Sequence, residues 1–129
     1  MAKTQANPRT LALKVVTLPR DTNQYGTIFG GVILSYIDQA GFVEARRHGP
    51  GGRRWVTVAL DKVEFHQPVH LGDAVAFWTS TERLGTTSVT VKVEVEAERF
   101  KTGEVVPVTA ARITLVSIGD DCRPKAIKG

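Results

Sequence analysis

The sequence predicts an α+β fold: a long, curved, five-stranded antiparallel sheet wrapped around one central helix. Three observations carry this. Residues 32–43 form an almost unbroken apolar segment, and a helix that is apolar nearly all round is one buried by whatever surrounds it. Val89, Val91, Val93 and Val95 alternate with Thr90, Lys92, Glu94 and Glu96, the period-two pattern of a strand with one face buried and one wet. The last three strand-like runs are joined by short turns and must be antiparallel neighbours.

In chain order, residues 1–9 read as a loose arm. Residues 11–18 are a first strand, closed by Pro19. A loop dense in turn formers follows from Asp21 and ends in the pair Gly30-Gly31. The helix is predicted over 31–47, because Arg46 and Arg47 followed by His48-Gly49-Pro50-Gly51-Gly52 form a stop signal. A second strand runs over 55–66, ended by Gln67-Pro68 and a turn at residues 70–73. A third covers 74–84, with Gly85-Thr86 turning the chain into the valine strand. After the turn Lys101-Thr102-Gly103 comes the last strand, 104–118, where Pro107 implies an edge position or a bulge. Residues 120–129 read as a second loose tail. Strands of eleven or more residues exceed the usual five or six, which suggests a long and curved sheet. No linker or repeat divides residues 1–129, so one domain is expected. One sheet leaves part of an all-apolar helix uncovered, which points to a partner chain.

A chain of 129 residues, 42% hydrophobic and 23% charged, supports one ordinary core. No apolar run is long enough to span a bilayer, and the polar start lacks a signal-peptide core. The single cysteine, Cys122, excludes an intramolecular disulfide and suits a reducing compartment; a cytoplasmic location is expected. His48, His66, His70 and Cys122 are scattered without metal-ligand spacing, so neither a metal nor a cofactor is expected. The net charge is +4. There is no dense basic stripe, helix-turn-helix pattern or row of strand aromatics, so nucleic acid is not an expected partner, nor is a membrane. A phosphorylated small ligand suits the charge better. Arg46, Arg47, Arg53 and Arg54, around the Gly-rich turn, are the candidate cations.

Asp38 is the anomaly in the helix. Its neighbours one turn away are Leu34, Ser35, Gly41 and Phe42, a mostly apolar setting for a group that is rarely buried unpaired. It is either a structural aspartate paired across an interface or a carboxylate held as base or nucleophile. Gly31 lies seven residues earlier, on the same face and about 10 Å away along the axis. The free amides of a helix start can bind a developing oxyanion. Ser35 has no histidine base at a recognisable spacing.

The ordered set Asp21-Thr22-Asn23-x-x-Gly26-x-Ile28-Phe29-Gly30-Gly31, with Asp38 seven residues on, resembles the acyl-CoA thioesterases of the hotdog fold. The nearest branch is the bacterial acyl-CoA hydrolases related to brain acyl-CoA hydrolase. The likeness continues through Val56-Thr57-Val58, Phe65-x-x-Pro68-Val69-x-x-Gly72-Asp73 and Gly85-Thr86-Thr87-Ser88-Val89. It implies a sheet order of 1-3-4-5-2 and a homodimer as the minimal unit, often assembled as a trimer of dimers into a hexamer. It also implies that Asp38 is the catalytic carboxylate, that Asn23 is a second catalytic residue from the other half of the site, and that Gly30 and Gly31 supply oxyanion-binding amides. Phe29, Thr57 and Val58 are expected to bind substrate. Gly85, Thr86, Thr87 and Ser88 either meet the CoA phosphates or only form a hairpin, and Asn23 by itself reads as a turn former. Thr27 stands where family members often carry an acidic or other polar residue.

The expected reaction is hydrolysis of acyl-CoA to a free acid and CoA, the CoA being part of the substrate. Asp38 would act as general base, or as nucleophile through a mixed anhydride. Two rivals are a hotdog hydratase or dehydratase and a non-catalytic acyl-CoA sensor. The first usually pairs a histidine with the carboxylate, and no histidine falls between Asp21 and Arg47. The gap of about 10 Å between helix start and Asp38 is too wide for one thioester carbonyl and its water. A second helix in a two-fold dimer would close it, giving composite sites.

Overall fold

Residues 8–128 are described by a computed structural model; the expected N-terminal arm lies outside them except for Pro8 and Arg9. The elements are β1 (Thr10–Val16), a short 3-10 turn (Pro19–Asp21), α1 (Gly30–Ala45), β2 (Arg54–Phe65), β3 (Ala74–Leu84), β4 (Ser88–Glu98) and β5 (Val105–Ile118). They build one antiparallel sheet in the order β1-β3-β4-β5-β2, as the resemblance implies. Long strands and one helix follow from the period-two and all-apolar patterns, and the helix begins and ends slightly earlier than predicted.

The core lies between α1 and the inner face of the sheet. Val89, Val91, Val93 and Val95 alternate inward and are buried, with Ile113 and Leu115 beside them on β5. From the helix, Ile33 and Ile37 are buried against them, each worth about 2–3 kcal/mol in removed apolar surface. Gly41 brings the two layers together: a Cβ there would stand 2.9 Å from Ile113 Cγ2.

Of the two readings of Pro107, edge or bulge, the bulge holds, since β5 lies between β4 and β2. It sits at a register shift opposite Val95 and Glu96, the bulge that accommodates a residue with no N–H to give. One expectation needs correction: residues 120–128 are not loose. Ile127 is buried and its N–H donates to Thr86 O at 2.8 Å, while Lys125 N–H donates to Ser117 O at 2.8 Å. Arg53 Nη1 donates to Ala126 O at 2.7 Å. One large apolar residue in a charged tail is enough to dock it when a hydrogen-bonded track is at hand.

The segment before α1 hangs from the β2–β3 connection. Asp73, 1% exposed, accepts from Arg99 Nη1 at 2.6 Å and from His70 N–H at 2.9 Å. Arg99 Nη1 also donates to Pro68 O, and Thr17 Oγ1 donates to His70 O. On that pinned turn Val69 O receives Ile28 N–H at 2.9 Å, and Thr27 bridges to His70.

β2 is a free edge of the sheet, broken by register shifts between Thr57 and Ala59 and between Asp61 and Glu64. Lys62, in the second break, has φ 54°, the left-handed region that a lysine adopts at a cost. Val56, Val58, Leu60 and Phe65 are exposed along the strand. On α1 the stripe Gly31, Ser35, Gln39 and Val43 is exposed at four-residue spacing.

Candidate active site

Asp38 lies mid-helix, half-buried, on the side that meets β2. Its Oδ1 accepts a hydrogen bond from Thr57 Oγ1 at 2.5 Å. Oδ2 has no hydrogen bond among the described residues. One oxygen is thus held and the other left for water or an acyl carbon, the division a base or nucleophile needs. Thr57 immediately precedes the first break in β2, and Val58, inside the break, is 57% exposed.

The helix start is open. Phe29 is the N-cap residue and provides no side-chain cap, and the first turn holds no acidic residue. The amides of Gly30 and Gly31 have no partner inside the helix and carry the positive end of its dipole, while Val32 N–H donates to Phe29 O at 3.1 Å. A Cβ on Gly30 would lie 3.7 Å from the Phe65 ring, and one on Gly31 would meet nothing within 4 Å. Beside them is a cavity of about 310 Å³ lined by Ile28, Gly30, Ile33, Phe65, Pro68 and Val69, with His66 and Gln67. Phe29 is about half exposed at its edge of the loop. His66 looked like a bystander in the sequence; only the closure of the β2–β3 connection over the helix start brings it here.

Asn23 serves its own loop in the single chain. Its Oδ1 accepts from Tyr25 N–H at 2.9 Å and Thr27 N–H at 3.1 Å, and its Nδ2 donates to Thr27 Oγ1 at 2.9 Å. That is the turn-forming role, with one Nδ2 proton to spare. Among the described residues no hydrogen bond joins Asn23 to Asp38. Gly31 and Asp38 are about 10 Å apart along α1.

A second carboxylate of α1 is far better shielded than Asp38. Glu44, 4% exposed, accepts from Thr79 Oγ1 at 3.1 Å, Thr81 Oγ1 at 2.6 Å and Arg47 Nη1 at 3.1 Å. Burial pushes its pKa up, but the hydrogen bonds from Thr81 and Thr79 and the Arg47 guanidinium outweigh that and hold it below its ordinary value. His48 Nε2 lies 2.6 Å from Thr81 Oγ1. Beyond it opens a cavity of about 470 Å³ lined by His48, Leu84, Gly85, Thr86, Ala126, Ile127 and Lys128. Gly85 and Thr86 thus reach a cavity, whereas Thr87 O accepts from Ser117 N–H and Ser88 O from Gly85 N–H to shape the turn.

Arg46, Arg47 and Arg53 line a third cavity, of about 310 Å³, with Val43, Pro50, Gly51, Gly52 and Trp55. Arg54 lies elsewhere, 3.8 Å from Asp120. Among the described residues no group of three or more His, Cys, Asp or Glu is placed to hold a metal, and no helix is long and apolar enough to cross a membrane. Cys122 is exposed.

The sequence pattern of the thioesterase superfamily matches residues 25–104. A protein of Zymomonas mobilis named as an uncharacterised acyl-CoA thioester hydrolase is 37% identical over 115 residues, 88% of this chain and 74% of the relative. A hexameric hotdog-fold thioesterase of Campylobacter jejuni is similar with a TM-score of 0.84 and 42% identity, covering 91% of this chain and 89% of its own. An aspartate-to-alanine mutant of a hexameric, broad-specificity acyl-coenzyme A thioesterase is similar with a TM-score of 0.86 and 34% identity, covering 92% and 86%.

Proposed function

Since the chain belongs to the thioesterase superfamily as a hotdog-fold acyl-CoA thioester hydrolase, we propose that Asp38 is the carboxylate that releases a free acid and CoA. The observation that carries this is the contact with Thr57, which holds Oδ1 and leaves Oδ2 uncommitted. As general base, Asp38 takes a proton from water, whose oxygen attacks the thioester carbonyl. The oxyanion is received by helix-start amides near Gly30 and Gly31. As the C–S bond breaks, the protonated Asp38 returns its proton to the departing CoA thiolate. Direct attack by Oδ2 to give a mixed anhydride uses the same groups.

The working unit is a homodimer with composite sites, and dimers assemble further into a trimer of dimers. Three features support this: the exposed apolar row on β2 and the exposed helix stripe; the gap between Gly31 and Asp38; and an Asn23 amide that serves only its own loop. A second helix packed across the two-fold axis sets one chain's amides and Asn23 beside the other's Asp38. Phe29 and Val58 border that seam. Gly85 and Thr86 meet the CoA moiety at the other end of α1.

The hydratase reading gains His66 near Gly30, yet no hydrogen bond links a histidine to Asp38 among the described residues. Free-thiol release from a panel of acyl-CoA esters separates hydrolysis from hydration and from mere binding. Asp38→Asn should lower kcat at least about a hundredfold with KM roughly kept. Near-normal turnover by the folded variant would make Asp38 structural.

A further inference from the structure

The outer face of the sheet pairs charges across its strands: Lys14 with Glu98, Arg9 with Glu96, and Arg112 with Glu82. Two cations beside these pairs are left over. Lys62 and Lys92 have no hydrogen bond or ion pair among the described residues. With Arg112, Ala110 and Ala111 they line a cavity of about 70 Å³. Arg112 gives only its Nε to Glu82, so both of its Nη groups remain as donors. Glu82 registers how closely the cations gather. Its pKa lies below the ordinary value, first through the Arg112 hydrogen bond, then, against slight burial, through the charges of Arg112, Lys92 and Lys62. The opposing charges nearby are Glu82, already committed to Arg112, and Asp61, opposite Arg112 on β2.

A break in β2 is what aims Lys62 at this place. Residues opposite one another on paired strands point to the same face. In unbroken register after Asp61 and Arg112, Lys62 would stand opposite Ala111, which is buried on the inner side. Pairing resumes instead at Glu64 and Ala110, with one residue more on β2 than on β5. Lys62 takes a φ of 54° in that break, and its side chain shares the cavity with Lys92, which points outward between the inward Val91 and Val93. Bulges re-aim side chains in this way, here at the cost of a left-handed lysine. The floor is alanine, so no bulky group fills the space. Its volume of about 70 Å³ is a little over twice the ~30 Å³ share of one water. That admits a single tetrahedral oxyanion and excludes a nucleotide.

We propose that this cavity is an anion site that takes one phosphate group, with Lys62 and Lys92 as point charges and the Arg112 fork donating hydrogen bonds to its oxygens. It joins β2, β4 and β5 on the face of the sheet away from α1. Asp38 lies on α1 and meets the inner face through Thr57, so the anion site is separate from the hydrolytic one.

The test is titration calorimetry of the intact protein with inorganic phosphate. Chloride is kept at matched ionic strength, and one equivalent of CoA is present so that the substrate site is filled first. Wild type should bind one phosphate per chain. Lys62→Gln and Lys92→Gln should each weaken that binding at least about fivefold, with acyl-CoA hydrolysis within about twofold of wild type. Lys62→Gly should weaken it as much and keep the urea midpoint at or above that of wild type, since glycine relieves the left-handed backbone. Glycerol 3-phosphate separates the sources of the group. Affinity comparable to that for phosphate makes the occupant a phosphorylated metabolite, and binding of phosphate alone makes it the free ion. No binding by wild type above the chloride control, or binding that Lys62→Gln and Lys92→Gln both leave intact, would overturn the proposal.

Discussion

Asp38 and Glu44 are carboxylates on the same helix with opposite assignments. Asp38 keeps an oxygen open, whereas Glu44 gives both of its oxygens to the fold. The folded pKa of Glu44 lies below the ordinary value of 4.5. Its ionised form thus contributes stability that is present above pH 4.5 and is lost as the pH falls through the lower folded value. Glu44→Gln should destabilise the protein by about 1–3 kcal/mol at pH 7. The gap to wild type should then narrow as the pH drops below 4.5, as urea unfolding at stepped pH would reveal. A gap independent of pH would mean that the charge of Glu44 is not engaged. Asp38 was legible in the sequence because it interrupts an apolar surface. Glu44 was not, because a glutamate beside Arg46 and Arg47 has the pattern of a solvated helix end. Its burial depends on Thr79 and Thr81, thirty-five and thirty-seven residues on.

At the scale of elements, the contact between α1 and β5 depends on Gly41. A side chain there collides with Ile113, while at Gly31 it meets open space. Gly41→Leu should therefore cost more than about 2 kcal/mol by overpacking, whereas Gly31→Ala should stay within about 0.5 kcal/mol. Urea midpoints compare the two directly. A fully stable Gly41→Leu protein would contradict the close packing of helix on sheet. The strands and the helix were legible because period two and all-round apolarity are local patterns. The docked tail was not, since Ile127 N–H finds its acceptor, Thr86 O, on a hairpin forty-one residues away. For the same reason Pro107 left edge and bulge open until the neighbours of β5 were known.

For the whole molecule, the composite site is the claim with most at stake. Asn23→Ala and Asp38→Ala should each be nearly inactive alone. In a mixed dimer one site regains both groups and the other loses both. Random pairing makes half the dimers mixed, so co-refolded variants should recover about a quarter of wild-type activity. Verified heterodimers as inactive as their parents would put both residues in the service of one chain. Here the sequence was least legible by itself. The seven-residue spacing gives the rise from Gly31 to Asp38 but not the hydrogen bonds that tie Asn23 into its own loop, which need Tyr25 and Thr27 folded back on it.

The two edges of the sheet bear on solubility. β2 is long and carries bare aliphatic side chains, a surface to which another strand can adhere. β1 is seven residues long, interrupted between Leu11 and Leu13, and bears Lys14. If the proposed homodimer joins through β2 on both copies, it uses up two adhesive edges and leaves two blunt ones, so strand-to-strand growth ends at that seam rather than running on into a fibre, and dimers assemble further through other faces. The unpaired chain is then the hazardous species. During synthesis and at high dilution it would be the form that precipitates, and a screen for insoluble variants should find its worst positions along an exposed strand rather than in the core.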